Sequence, residues 1–198
     1  EPAQPANRLG DGRCDARGRF WVSTRHATSQ VPSGALYRYT GGSHCQRLQS
    51  GIGPSHGPAW SLDHTTLFMT DTAQRRVLAC DFDADKGTLG VPRTWLQLAP
   101  GEGQAQGLCT DAAGRIWIAR SGAGFVSSHD PDTSEELLRI TIPAKQVTAC
   151  TFGGPDLRTL FITSASQQTS DAGLLSEPLA GALFAVEVDS PGLPAHLF

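Results

Sequence analysis

The sequence has no apolar run that approaches the roughly 20 residues a membrane-spanning helix requires, and its 198 residues carry a net charge of only −3. A net charge this small gives no positive electrostatic potential that would attract nucleic acid. No polybasic cluster is present that would bind a membrane surface. Hydrophobic residues make up 39% of the chain and charged residues 18%, a balance typical of folded proteins and not of disordered ones. We therefore expect neither nucleic acid nor a membrane as a partner.

Several motifs of catalysis and metal binding are also missing. The histidines form no HExxH pair, the serines form no GxSxG elbow, and no glycine-rich phosphate loop precedes a helix. The cysteines form no CxxC pair and no His/Cys pair at zinc spacing; they are Cys14, Cys45, Cys80, Cys109 and Cys150. We expect them to be buried, reduced thiols, which indicates a reducing compartment and a cytoplasmic protein.

Helical periodicity is absent as well. The 22 glycines and 13 prolines are too many for a helical protein but suit short strands joined by tight turns. The alternation in Gly34–Tyr39, GALYRY, is typical of a half-buried strand. The sequence therefore predicts an all-β protein.

One unit recurs along the chain. Ser55–Thr72 reads SHGPAWSLDHTTLFMTDT, which is a short apolar strand, a tight turn at Asp63-His64 and a second apolar strand. Similar stretches cover Asp11–Thr24, Gln106–Ser121 and Cys150–Ala165, and their equivalent aromatic residues Trp21, Phe68, Trp117 and Phe161 are 47, 49 and 44 residues apart. A period in the forties with about four strands per unit is typical of a β-propeller.

The repeats divide the chain into four blade-like units at about residues 7–50, 51–100, 101–146 and 147–198, which we interpret as one domain over residues 1–198. The recurring residues Trp21, Trp60 and Trp117 are predicted to lie in the core between blades. Because a propeller must close its ring to cover the faces of its end blades, four blades in an open arc would leave apolar faces for oligomerisation.

Specific stretches resemble the family that includes regucalcin and the bacterial gluconolactonases. They are GRFWVST, GALYRY, GPAWSLD, RRVLACDFD, GLCTDAAGRIWIA and TFGGPDLRTLFITSA, together with the run from Asn7 to Gly12. The resemblance extends from Asn7 to the C-terminal GLPAHLF. It implies a six-bladed β-propeller of which about two N-terminal blades are absent here, whereas the C-terminus is complete.

The resemblance also implies an activity. Members of this family are hydrolases of sugar lactones that depend on a divalent cation, and a small-molecule sugar lactone is therefore the expected partner. The family's metal is held by an N-terminal Glu, by an Asn in the motif SNGxAWS and by an Asp in PDGLxxD, and oxygen ligands of this kind favour Ca²⁺, Mg²⁺ or Mn²⁺.

This chain departs from the family at each of these positions. The N-terminal Glu has no counterpart, His56 replaces the metal-binding Asn, and Gln106 replaces the Asp that acts as ligand and base. The substrate-contacting Arg of the family's RxNDG motif is kept as Arg8, but Gly10 stands in place of its Asn. We interpret His56 and Gln106 as degenerate metal positions, Gln106 as the former catalytic position, and Arg8 and Gly10 as substrate-binding positions.

These replacements leave several functions open. Gln106 can offer an oxygen but cannot accept a proton, and His56 would shift the preference toward Zn²⁺. The leading prediction is a metal-dependent lactone hydrolase with a degenerate site. The alternatives are a non-catalytic propeller that binds a small molecule or protein, or an inactive truncated homologue.

Three carboxylates could lie near the propeller axis. Asp71 is a further candidate metal ligand, although Asp71 and Asp11 can equally be interpreted as residues that cap turns, and the third is Asp171. The segment Asp81–Gly87, DFDADKG, superficially resembles a calcium-binding loop but has its glycine and twelfth residue in the wrong places. We interpret it as a strand that ends in a turn.

Overall fold

The computed structural model describes Glu1 and residues 3–28, 31–167 and 175–198. It divides into two compact units, of which unit 1 contains Glu1–Gln97 and Ala195–Phe198 and unit 2 contains Leu98–Pro194. Each unit holds two antiparallel sheets, so the described residues form four blades. The prediction of an all-β fold with about four blades is confirmed.

Unit 1 contains the first two blades. The strands of the first pair in chain order and are β1 (Asn7–Cys14), β2 (Phe20–His26), β3 (Gly34–Tyr39) and β4 (Cys45–Ile52). The strands of the second are β5 (Ala59–Trp60), β6 (Thr66–Asp71), β7 (Arg76–Asp83), β8 (Thr88–Leu89) and β9 (Arg93–Gln97). Both β8 and β9 pair with β7.

Unit 2 contains the other two blades. The third blade pairs in chain order and consists of β10 (Gln104–Thr110), β11 (Ile116–Ser121), β12 (Phe125–His129) and β13 (Glu136–Thr141). In the fourth blade the described residues form β14 (Val147–Gly153), β15 (Thr159–Ser164) and β16 (Leu183–Glu187).

Tryptophans fill the core between the two blades of unit 1. Trp21 is fully buried and contacts Phe82 and Trp60 edge-on, with ring centroids 5.5 and 6.3 Å apart. In unit 2 the buried Trp117 contacts Phe152 of β14 in the same edge-on geometry at 5.9 Å. Such pairs stabilise beyond the area that they bury. The prediction that the recurring tryptophans lie in the core is confirmed.

A buried aspartate anchors the first hairpin in two of the blades. The side chain of Asp111 accepts hydrogen bonds from the backbone amides of Ala113 and Arg115, from Arg115 Nε at 2.7 Å and from Trp117 Nε1 at 2.9 Å. Asp111 is fully buried, and four donors compensate for the loss of hydration of its charge. The carboxylate therefore joins the turn to the tryptophan of the core.

Asp15 repeats this network in the first blade. It accepts from the amides of Arg17 and Arg19, from Arg19 Nε at 2.6 Å and from Trp21 Nε1 at 2.8 Å. Both turns end in a glycine with a left-handed backbone, for which a residue without Cβ is suited. The shared sequence D-A-x-G-R-x-W thus specifies one local structure twice.

The turn Asp83–Gly87 is held by arginines of the first blade. Arg19 donates to the carbonyls of Ala84 and Asp85, and Arg38 donates to the carbonyls of Lys86 and Gly87. These carbonyl oxygens are therefore occupied by guanidinium groups, in agreement with the interpretation of the segment as a strand followed by a turn.

His129 lies inside the sheet of the third blade. It ends β12, is 2% exposed, and its Nε2 lies 2.9 Å from Ser127 Oγ and 3.2 Å from Nη2 of Arg120. Burial lowers the pKa of His129 and lowers the pKa of the Arg120 guanidinium to about 10. The polar cluster of Arg120, Ser127 and His129 thus lies within the sheet of the third blade.

No helix in the described part of the chain is long and apolar enough to cross a membrane. The single domain over residues 1–198, the oligomer and the cytoplasmic location stay predictions.

We expect Asp111→Asn to lower the free energy of unfolding by about 2–4 kcal/mol, because its new amide hydrogens would face the donors of Arg115 and Trp117. Asp156→Asn is the matched control. Asp156 is exposed in the corresponding turn of the fourth blade, where it accepts only from a backbone amide among the contacts seen, and we expect a change within about 0.5 kcal/mol. Urea unfolding measures both, and equal losses would contradict the role of the buried network.

Candidate functional site

The predicted site residues fall in both units. Arg8, Gly10, His56 and Asp71 belong to unit 1, whereas Gln106 belongs to unit 2. Each is described below in its own unit.

Arg8 lies on β1 with its side chain exposed. Its Nη1 donates to the carbonyl oxygens of Pro5 at 2.9 Å and Asn7 at 2.7 Å. The guanidinium is thus held by nearby backbone and retains further donors for a ligand's oxygen atoms.

Gly10 occupies an irregular part of β1, where the register with β2 shifts between Leu9 and Gly12. A Cβ atom at Gly10 would lie 2.8 Å from Ser23 Oγ. Ser23 is buried and donates to the carbonyl of Ser55 at 3.1 Å. An Asn at this position would therefore require Ser23 to move, which gives a local reason for the glycine.

His56 precedes the short strand β5 and is tied to β6 through its backbone. Its amide donates to Thr70 Oγ1 at 2.7 Å, and the amide of Thr70 donates to the His56 carbonyl at 3.0 Å. The side chain is half-buried, and this burial lowers the pKa of the imidazole; the charge of Asp11 acts to raise it and that of Arg25 to lower it. His56 is therefore a neutral imidazole near a carboxylate at pH 7.

Asp11, one of the carboxylates that the sequence placed near the propeller axis, contacts the backbone next to His56. Its Oδ2 accepts from the amide of Gly57 at 3.3 Å, 46 residues away in the chain. Asp11 lies within β1, so its interpretation as a turn cap was wrong. The sequence signal for a role of Asp11 in the site was its position within Arg8–Gly12, the stretch that matches a substrate-binding motif of the family.

Asp71 ends β6 and is 8% exposed. Its Oδ2 accepts from Arg76 Nε at 3.0 Å and lies 2.9 Å from Arg76 Nη2. A guanidinium that holds the carboxylate through two nitrogens competes directly with a cation for this oxygen. Asp71 thus has a structural role at the start of the β6–β7 hairpin.

Gln106 lies half-buried on β10, in the irregular part where the register with β11 shifts between Ala105 and Leu108. Its amide can donate and accept hydrogen bonds but carries no charge. Asp171, the remaining carboxylate considered from the sequence, lies outside the described residues.

The residues present do not fit a hard divalent cation. Within residues 3–28, 31–167 and 175–198, no group of three or more His, Cys, Asp or Glu side chains could hold a metal ion. Asp71 is paired with Arg76, and His56 and Gln106 supply no negative charge. Ca²⁺, Mg²⁺ and Mn²⁺ require carboxylate oxygens for tight binding, and Zn²⁺ requires more nitrogen or sulfur ligands than His56 provides.

The charges of Asp11 and Arg25 act on the pKa of His56 in opposite directions. We expect Asp11→Asn to lower the pKa of His56 further, because the variant removes the charge that favours the imidazolium, and Arg25→Gln to raise it. An NMR titration of the imidazole Cε1 proton measures both. Shifts in the same direction would show that at least one of the two charges does not act on His56 directly.

Similarity to known proteins extends over the whole chain. The family model described as "SMP-30/Gluconolactonase/LRE-like region" matches residues 1–166. The regucalcin of Danio rerio is 33% identical over 198 residues, which cover 98% of this chain and 67% of that protein. YvrE of Bacillus subtilis (strain 168), whose name proposes a sugar lactone lactonase, is 29% identical over 93% of this chain and 63% of its own length.

A solved structure has the same fold. The regucalcin of Agrobacterium tumefaciens, described as a calcium-binding protein, superposes with a TM-score of 0.91 at 28% identity, over 98% of this chain and 66% of that chain. This chain therefore spans about two thirds of the length of such relatives. The family match over most of the sequence and the shared fold lead to one conclusion: the chain belongs to the SMP-30/gluconolactonase family of β-propellers.

Proposed function

We propose that this protein is a sugar-lactone hydrolase of the gluconolactone type whose dependence on a divalent cation is weakened by a degenerate ligand set. The observation that carries the proposal is family membership, with 29% identity to a relative named for lactonase activity. The whole protein's substrate and activity are part of the proposal, because the chain spans 63% of that relative.

Hydrolysis of a lactone requires a group that accepts a proton from the attacking water. His56 meets this requirement because burial lowers its pKa and keeps the imidazole neutral at pH 7. Asp11 is near enough for its charge to favour the imidazolium formed when the proton is accepted. In this proposal His56 replaces the carboxylate base that Gln106 cannot supply.

We assign substrate binding to groups that can form hydrogen bonds with sugar hydroxyls. Arg8 has an exposed guanidinium and can donate to oxygen atoms of the ring or its hydroxyls. Gly10 presents only its backbone. In unit 2, Gln106 has an uncharged amide that can donate and accept hydrogen bonds but cannot act as a base. These contacts suit a small polyhydroxylated molecule.

A second candidate is a non-catalytic propeller that binds such a molecule without hydrolysing it. The pairing of Asp71 with Arg76 favours this candidate, because it removes the surviving carboxylate considered as a metal ligand. Titration calorimetry with gluconate, the hydrolysis product, in the presence of a chelator separates the two. Tight binding by a protein with no hydrolytic activity would support the binding module over the hydrolase.

The metal dependence is tested with purified protein and D-glucono-δ-lactone. We expect hydrolysis above the spontaneous rate, only a small increase with Ca²⁺, Mn²⁺ or Zn²⁺, and most of the rate to persist with a chelator, because no group of three metal-ligating side chains exists among the described residues and His56 is the proposed base. A pH-stat measures the acid released. The same rate with metal and with chelator would refute metal-dependent hydrolysis.

The degenerate position Gln106 is tested by restoring the family's Asp. We expect Gln106→Asp to tighten metal binding by about tenfold or more, which is ~1.4 kcal/mol, because a carboxylate then supplies the missing charge. Titration calorimetry with Mn²⁺ measures the change. The matched control is Gln106→Asn, which has similar volume and no added charge, and equal affinities would contradict the proposed cause.

A further inference from the structure

Two thiols meet in the core of unit 2. Cys109 on β10 and Cys150 on β14 place their Sγ atoms 3.8 Å apart, although the residues are 41 positions apart in the chain. Their side chains are only 3% and 2% exposed. The strands belong to different sheets, so the contact joins the first strands of two neighbouring blades.

A close approach of the two backbones brings the thiols together. A Cβ atom on Gly107 would lie 2.7 Å from Ala149 Cβ and 3.1 Å from the carbonyl oxygen of Thr148. A larger residue than glycine would therefore push β10 and β14 apart. Cys150 Sγ also lies 4.0 Å from the Gly107 carbonyl oxygen, which places the thiol at this contact.

The other cysteines have different surroundings and all belong to unit 1. Cys45 is exposed and Cys14 is half-buried. Cys80 is buried on β7, and burial raises the pKa of its thiol to about 11. Cys80 thus provides an internal comparison for a buried thiol outside the Cys109–Cys150 contact.

We propose that Cys109 and Cys150 are a reversible oxidation site that forms an intramolecular disulfide across the two blades of unit 2. A disulfide has an S–S distance of about 2.05 Å, so the sulfurs must approach by about 1.8 Å from their present separation.

The oxidant is a peroxide, which is small enough to reach a buried thiol through local opening of the blades. One thiolate attacks a peroxide oxygen, breaks the O–O bond and becomes a sulfenic acid, and for hydrogen peroxide the leaving oxygen departs as water. The second thiol then attacks the sulfenic sulfur, forms the S–S bond and releases the other water. Two thiols and one hydrogen peroxide thus yield one disulfide and two waters.

The disulfide closes a loop between Cys109 on β10 and Cys150 on β14, which are 41 positions apart in the chain. Cross-links over loops of this length stabilise chiefly by restricting the unfolded chain. We expect the oxidised protein to melt several degrees higher, by roughly 5–10 °C, if the bond forms without strain. The backbone of β10 beside Gln106 is then also held against β14.

The decisive experiment maps disulfides in the folded protein. Reduced protein is treated with hydrogen peroxide in native buffer, remaining thiols are alkylated, and the chain is digested without reductant for mass spectrometry. We expect a linked peptide that contains Cys109 and Cys150 and that disappears with dithiothreitol, while Cys80 stays a thiol. Alkylation of Cys109 and Cys150 after unfolding, or a linked peptide that forms only in denaturant, would overturn the proposal.

Variants supply the controls. Cys45→Ser removes the exposed thiol and should leave the linked peptide and the rise in melting temperature unchanged. Cys150→Ala should abolish both, and the mapping of the unmodified chain decides the proposal even if this variant does not fold. A melting temperature that peroxide leaves unchanged in the Cys45→Ser protein, despite a formed disulfide, would contradict the stabilising effect.

Discussion

The buried carboxylates of Asp15 and Asp111 are the interaction on which the blades of this protein depend most directly. Each has four donors from its own hairpin, including the indole of a fully buried tryptophan. A charge with so little exposure is tolerated only because those donors replace its hydration. In these two blades the carboxylate therefore joins the turn to the core tryptophan.

The same physical requirement explains why the candidate site differs from that of a metal hydrolase. A hard cation needs negatively charged oxygen ligands that are not already paired with a cationic side chain. In unit 1 the carboxylate of Asp71 is paired with Arg76, and that of Asp11 accepts from the amide of Gly57 near the imidazole of His56. The carboxylate of Asp71 is thus neutralised by Arg76, whereas the charge of Asp11 acts on His56.

Close backbone contacts have consequences beyond packing. Gly10 leaves room for the buried hydroxyl of Ser23, and Gly107 allows β10 and β14 to approach until two cysteines touch. In both places the absence of a Cβ atom lets neighbouring groups approach closely. At Gly10 the side-chain amide of the family's Asn is absent, and at Gly107 two thiols come into contact.

The sequence by itself determined the all-β class, the four repeats and the burial of the recurring tryptophans, because each is encoded in local periodicity and turn residues. It also identified the family and the replaced residues His56 and Gln106. Only the tertiary structure decided that Asp11 reaches Gly57, that His129 is buried beside Arg120, and that Cys109 contacts Cys150. These contacts join residues far apart in the chain or on the same face of a sheet, and neither periodicity nor motif spacing records the partner of a side chain in space.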